Sequence, residues 1–163
     1  MASREVTLEL LLSTLKPEDL VVACNGKIGR EIFEIRKRNG QPNDDFILIG
    51  AMGCALGVAM GVARKTQKKV VCILGDGNFL MKMGSLATYR ELLLNNLHVY
   101  IVNNSAHDST GGQPTSFDAI RHLLPYQYNF RIVDVEKGAR PDLGRPDISP
   151  EEITRRFMTK VMS

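Results

Sequence analysis

The stretch Val70-Val71-Cys72-Ile73-Leu74-Gly75-Asp76-Gly77-Asn78 decides the fold. Its first five residues are apolar without a break, so a strand formed there offers apolar side chains to both faces. That is the pattern of a strand inside a parallel sheet with helices on either side. The Gly-Asp-Gly that follows breaks the strand with residues that permit a tight turn. Outward from it, Leu20-Val21-Val22-Ala23-Cys24, Phe46-Ile47-Leu48-Ile49 and Val99-Tyr100-Ile101-Val102 read as similar strands, and Arg131-Ile132-Val133-Asp134-Val135 reads as a fifth. Helices are predicted between them: Val6 to Leu15 behind a Ser3 cap, Ile28 to Arg38 closed by Asn39-Gly40, Met52 to Ala63, and Gly84 to Leu94. A short helix follows near 117–124, and a last one is opened by Ser149-Pro150-Glu151-Glu152. A polar loop runs from Asn103 to about Phe117. Strands alternating with helices predict an α/β fold, a three-layer doubly wound and mostly parallel sheet, as one domain over residues 1–163.

Composition narrows the function classes. Of 163 residues, 44% are hydrophobic and 24% charged, the balance of a soluble globular protein. Lys and Arg number 21 against 18 Asp and Glu, a net charge of +3 without the basic stripe that a nucleic-acid surface needs. Cys24, Cys54 and Cys72 have no metal-type spacing and lie in apolar segments, so they read as small buried hydrophobes of a reducing, cytoplasmic compartment. No secretory signal is visible at the N-terminus. Phe46 to Ala63 is 18 residues without a charge, long enough to raise a membrane span, and Gly53, Gly57 and Gly61 repeat at the helix-dimer spacing. The run divides at Gly50, however, into a β-prone start and a small-residue helix that lets another backbone or a ligand come close, and no membrane association is expected.

In such sheets ligands bind outside the carboxyl ends of the strands. Three turns converge there: Gly50-Ala51-Met52-Gly53, Gly75-Asp76-Gly77-Asn78, and Asn103-Asn104-Ser105-Ala106-His107-Asp108. Free backbone N–H groups beside Asp76 suit an anion, but the carboxylate repels one unless a cation intervenes. A hard divalent ion such as Mg²⁺, bound by one carboxylate, other oxygens and substrate phosphates, resolves the conflict. Asp76 supplies the charge and the side-chain oxygen of Asn104 a second ligand. Either motif alone reads equally as a flexible strand-to-helix turn.

Gly-Asp-Gly, then 25 residues (Asn78 to Val102), then Asn-Asn resembles the thiamin diphosphate motif of the pyrophosphate-binding domain of thiamin-dependent decarboxylases. The resemblance implies that Asp76, Asn104 and the main-chain carbonyl of Ala106 bind Mg²⁺, and that Gly75, Gly77 and Asn78 lie against the diphosphate. It also implies that Gly50, Ala51 and Met52 hold the pyrimidine half of the cofactor, with Met52 as an apolar wedge under its bend. On the residues alone, Met52 reads as a core methionine. Gly84-Ser85-Leu86-Ala87-Thr88 and Ala106-His107-Asp108-Ser109-Thr110-Gly111-Gly112-Gln113-Pro114-Thr115 are similar to the phosphonopyruvate decarboxylase branch of that family. The branch of sulfopyruvate decarboxylase β subunits shares the frame less fully at this loop, and Ala23-Cys24-Asn25-Gly26-Lys27 with Glu31-Ile32-Phe33-Glu34-Ile35-Arg36 fits the same group.

The activity so implied is decarboxylation of a small anionic 2-oxo acid, phosphonopyruvate to phosphonoacetaldehyde and CO₂ first, sulfopyruvate second. His107 and Asp108 either position substrate and relay protons or merely cap a loop. Lys27 and Arg30 either attract the phosphonate or sulfonate or are ordinary surface charges, and His98 and His122 read as structural or exposed. Full-length decarboxylases of this kind carry a second α/β domain whose glutamate bonds the pyrimidine ring, and nothing in these 163 residues resembles it. The resemblance therefore implies an α-type partner subunit carrying the pyrimidine-binding domain, in a hetero-oligomer of α2β2 or larger. The alternative is a cofactor-binding or interaction domain without catalysis. A dinucleotide site is not expected, since Asn25-Gly26-Lys27-Ile28-Gly29 stands where Gly-x-Gly-x-x-Gly is needed.

Overall fold

The computed structural model describes residues 1–125 and 129–163. Ser3 caps the first helix, α1 (Arg4–Ser13), its Oγ accepting from the N–H of Val6, and Leu8 and Leu12 bury one stripe of it against the next helix. Strand β1 (Leu20–Ala23) is buried throughout. Helix α2 (Lys27–Arg38) buries Ile28, Ile32, Phe33 and Ile35, and Gly40 leaves its end at φ +62°. Strand β2 is only Phe46–Ile47, shorter than expected. Leu48 still donates to the carbonyl of Ala23, but Ile49 is half exposed and Gly50, at φ +70°, turns the chain away.

Helix α3 (Ala55–Ala63) begins three residues later than its periodicity predicts, because Gly53 sits at φ +77°, outside the helical region. Among the described residues no helix is long and apolar enough to cross a membrane. The expectation that small residues let another backbone come close along this helix is not met at Gly57 and Gly61, which face open space; Gly53, ahead of the helix, has only the side chains of Met81 and Lys82 against it, a Cβ there lying 2.9 Å from Cγ of Lys82. Strand β3 (Val70–Gly75) is followed at once by α4 (Asp76–Met81), a short helix where the sequence predicts only a turn. Burial of Phe79 against Phe117 and Phe130 holds that turn helical. Helix α5 (Ser85–Leu92) and strand β4 (Leu97–Asn103) come next, and the polar loop contains a small hairpin of β5 (Ala106–His107) and β6 (Gln113–Pro114). Two 3₁₀ turns at Phe117–Ala119 and Arg121–Leu123 replace the expected short helix. Strand β7 (Phe130–Asp134) and helix α6 (Pro150–Met162), capped by Ser149, complete the chain.

The five long-range strands form one all-parallel sheet in the order β2-β1-β3-β4-β7. The path from β1 to β2 runs one way along the sheet and the path from β2 to β3 runs back, so right-handed crossovers place α2 and α3 on opposite faces. The result is the expected doubly wound α/β sandwich. Cys24 and Cys72 are buried in it, which pushes the Cys24 thiol up to about 12, whereas Cys54 is only half-buried at the start of α3, against the expectation for it. Helix α2 crosses so close to the end of β1 that a Cβ at Gly29 would stand 2.6 Å from the Cys24 carbonyl oxygen and 2.8 Å from Cγ2 of Ile47. Gly29→Ala is expected to cost about 1–3 kcal/mol, the range of overpacked cores, read as a lowered urea midpoint at unchanged m-value.

Candidate functional site

The strand order reverses direction between β1 and β3, and at such a switch point the loops leaving the two strands diverge and open a crevice at their carboxyl ends. A cavity of about 130 Å³ lies there, lined by Asn25 to Ile28 after β1, by Met52, by Gly75 to Asn78 after β3 and by Asn104 and Ala106 to Thr110 after β4. Because Gly75 pairs with Val102, Asp76 and Asn104 emerge from adjacent strands. Both are buried, at 2% and 7% exposure. Burial pushes the Asp76 carboxyl above the ordinary carboxylate range, against hydrogen bonds from Thr115 Oγ1 (2.5 Å) and from the backbone N–H groups of Gly77 and Asn104.

The two asparagines divide the work of the turn. Asn103 supports it: its Oδ1 accepts from the N–H of Ser105 and its Nδ2 donates to Asp134. Ser105, at φ +55°, swings the chain between Asn104 and Ala106. Asn104 lines the crevice; its Oδ1 accepts from the N–H of Ala106 and its Nδ2 donates to Asp108 Oδ2 (2.6 Å). That same oxygen of Asp108 takes a hydrogen bond from Arg4 Nη1 (2.6 Å), and Arg4 is paired in turn with Glu31 through Nε (2.7 Å) and Nη2 (2.9 Å). Arg4 and Glu31 are 5% and 2% exposed. Burial opposes the charge on Arg4, and the two carboxylates outweigh it and hold the guanidinium above its ordinary value.

Gly77 has no room for a side chain, since a Cβ would lie 2.6 Å from Nδ1 of His107. The imidazole therefore rests on the backbone of residue 77 and lines the crevice. Asn78 ties three loops together: its Nδ2 donates to Asn25 Oδ1 (2.8 Å) and its Oδ1 accepts from the N–H of Gly53 (3.2 Å). Gly50 is exposed, Ala51 is half-buried, and Met52, 55% exposed at the crevice mouth, is not a core methionine. Lys27 lines the same crevice. Arg30 lines an adjoining cleft of about 390 Å³ with Arg145 and Gly50, to which no acidic side chain contributes. His98 is half-buried on β4, where burial lowers its pKa, and His122 is exposed in the second 3₁₀ turn; neither reaches the crevice.

Among the described residues no group of three His, Cys, Asp or Glu side chains converges as a metal site. The crevice offers instead the carboxylate of Asp76, the amide oxygen of Asn104 and backbone carbonyls, with the carboxylate of Asp108 beside them, a hard oxygen set that suits Mg²⁺. Arg4 pairs with Glu31 and Asp108 in this poorly solvated cluster, and a divalent cation beside Asp76 would add further positive charge to it. Residues Arg4, Glu31, Asn25 and Thr115 belong to this assembly although the sequence does not single them out. Asn25 and Glu31, in the segments that fit the family, and Thr115, at the end of the quoted loop, carry a local signal, and Arg4 carries none.

Residues 22–155 match the family model described as thiamine pyrophosphate enzyme, C-terminal TPP binding domain. The chain is 34% identical to a phosphonopyruvate decarboxylase of Streptomyces hygroscopicus over 95% of its own length and 45% of the relative's, and 33% identical to one of Streptomyces viridochromogenes over the same shares. It thus spans somewhat under half the length of these relatives. A sulfopyruvate decarboxylase subunit beta of Methanothermobacter thermautotrophicus is 34% identical over 88% of both chains. With the sheet, the switch-point crevice and the Gly-Asp-Gly and Asn-Asn turns in place, the chain belongs to the thiamine pyrophosphate enzyme family, matching its C-terminal cofactor-binding domain.

Proposed function

We propose that this chain is the diphosphate- and metal-binding half of a thiamin diphosphate-dependent 2-oxo acid decarboxylase, acting on phosphonopyruvate and completed by an α-type subunit. The observation that carries the proposal is the buried pair Asp76 and Asn104 on adjacent strand ends at the switch point. These two side chains and the Ala106 carbonyl would hold Mg²⁺, and the backbone of Gly75, Gly77 and Asn78 would face the diphosphate. When bound, thiamin diphosphate supplies the electron sink that lets a 2-oxo acid lose CO₂. His107, resting on Gly77, would hold or pass a proton at the substrate's oxygen, and Asp108 fixes the loop that carries it. Met52 and Gly50 would support the pyrimidine end of the cofactor.

The crevice of about 130 Å³ alone falls below the roughly 300–1,000 Å³ of sites that enclose a whole ligand, and the adjoining cleft of about 390 Å³ that holds Gly50 and Arg30 extends it. The exposed Ile49, Met52 and Met81 beside it offer apolar surface to a second chain. Likeness to a protein named as a subunit beta, over 88% of each, supports a partner subunit, and the assembly proposed is a hetero-oligomer of α2β2 type or larger. Lys27, Arg30 and Arg145 would receive the substrate's anionic group; the same charges suit a sulfonate, and that coverage supports sulfopyruvate as the second reading.

Isothermal titration of thiamin diphosphate with Mg²⁺, with and without a candidate α chain, tests the binding half of the proposal; no binding in either arm overturns it. Turnover of phosphonopyruvate, sulfopyruvate and pyruvate by the reconstituted pair tests the substrate. Faster turnover of sulfopyruvate replaces the first reading with the second.

A further inference from the structure

We infer that Asp108, clamped by Arg4 and Glu31, is a positioning residue that sets which end of the Asn104 amide faces a bound cation. The inference rests on the reading of Asn104 as a metal ligand. A carboxamide has two ends of similar shape and opposite chemistry: its oxygen binds a cation and its NH₂ repels one. Two contacts select the same orientation. The Asp108 oxygen that already accepts from Arg4 takes the Nδ2 end (2.6 Å), whereas the backbone N–H of Ala106 only donates, so it takes the Oδ1 end (3.2 Å). With its amide nitrogen held at Asp108, Asn104 presents oxygen to the metal.

Asp108 needs a support of its own, because the loop that carries it runs straight on into the exposed Ser109 and Thr110, although its own side chain is only 11% exposed. Arg4 provides it. Its Nη1 binds the very oxygen that receives Asn104, and Glu31 fixes the guanidinium plane through two parallel hydrogen bonds, the geometry that makes arginine pairs directional. Arg4 is 5% exposed, begins α1, and is anchored by the packing of Leu8 and Leu12. The order of control runs from α1 and α2, through one guanidinium, to one carboxylate and one amide. Groups behind a metal's direct ligands typically change metal affinity by about 10–100-fold when removed.

The test compares Asp108→Ala with Asp108→Asn. Mg²⁺ is titrated calorimetrically into the chain with saturating thiamin diphosphate, together with the α chain if the wild type needs it. Asp108→Ala is expected to weaken Mg²⁺ about 10–100-fold, and Asp108→Asn, which keeps an oxygen for Asn104 Nδ2, to recover much of that loss. Wild-type affinity within twofold in Asp108→Ala, or equal losses in the two variants, overturns the inference. A second measurement needs no variant: in the free wild-type chain the two side-chain amide protons of Asn104 should exchange with solvent far more slowly than those of the exposed Asn95. Equal exchange also overturns it. Absence of Mg²⁺-dependent binding by the wild type defeats the metal-site reading instead, and the exchange measurement still decides whether the Asp108 contact exists.

Discussion

Asp76→Asn should yield a chain that is more stable than the wild type at neutral pH and no longer binds thiamin diphosphate in a Mg²⁺-dependent way. The two effects have one origin. Burial raises the carboxyl of Asp76 above its ordinary value, so the folded state holds this proton more tightly than the unfolded one. Its contribution to stability is therefore complete below the ordinary carboxylate range and is lost as pH rises through the raised value; at neutral pH the buried charge is a burden. The amide removes the charge with little change of shape. Melting scans from about pH 3 to pH 8 should show the variant's advantage at the upper end and none at the lower, around the ordinary value of about 3.9. With Mg²⁺ and cofactor present the order should reverse, because ligand that binds only the folded wild type raises its melting temperature. A loss in affinity beyond about 100-fold is expected, more than the removal of a supporting group causes. Unchanged cofactor affinity would refute the role assigned to Asp76.

Arg4→Ala carries the largest expected effect on stability, about 3–5 kcal/mol in chemical denaturation, because it leaves Glu31 charged and unpaired at 2% exposure. The pair itself contributes much less than that figure. Replacing both members together, Arg4→Met with Glu31→Leu, should recover most of the stability, since two buried charges can be exchanged for apolar groups of similar volume at small net cost. Asp108, whose side chain is 11% exposed, can then turn toward solvent. Cofactor binding should remain impaired in this refolded double variant, which separates the clamp's part in the site from its part in the fold. A single variant as stable as the wild type would show that Arg4 is not the keystone of this cluster.

The strands were legible wherever both faces are buried. Leu20 to Ala23 and Val70 to Leu74 are apolar throughout because helices cover each side, and no polar residue interrupts them. The end of β2 was not legible, since Ile49 looks like its neighbours in sequence yet is half exposed in the adjoining cleft. Helix α4 opens on Asp76-Gly77-Asn78, residues of poor helix propensity, and exists through the burial of Phe79, a tertiary cause. The hairpin of β5 and β6 has two residues a side and no alternation to reveal it. In the site, Asp76, Asn104 and the glycines could be read because ligand chemistry and strand placement restrict them locally. Arg4 could not, since its partners Glu31 and Asp108 lie 27 and 104 residues away, and a charged residue in a first helical turn ordinarily faces water.

That separation changes what would have to be moved to rebuild this centre elsewhere. Residues 75–115 contain Asp76, Asn104, Ala106, His107 and Thr115, and a graft of that window onto another parallel sheet would transplant the donor atoms. It would leave behind Arg4 and Glu31, and with them the support that fixes Asp108. The smallest transferable unit is the window together with α1 and α2, two helices that add no donor atom to the candidate metal set.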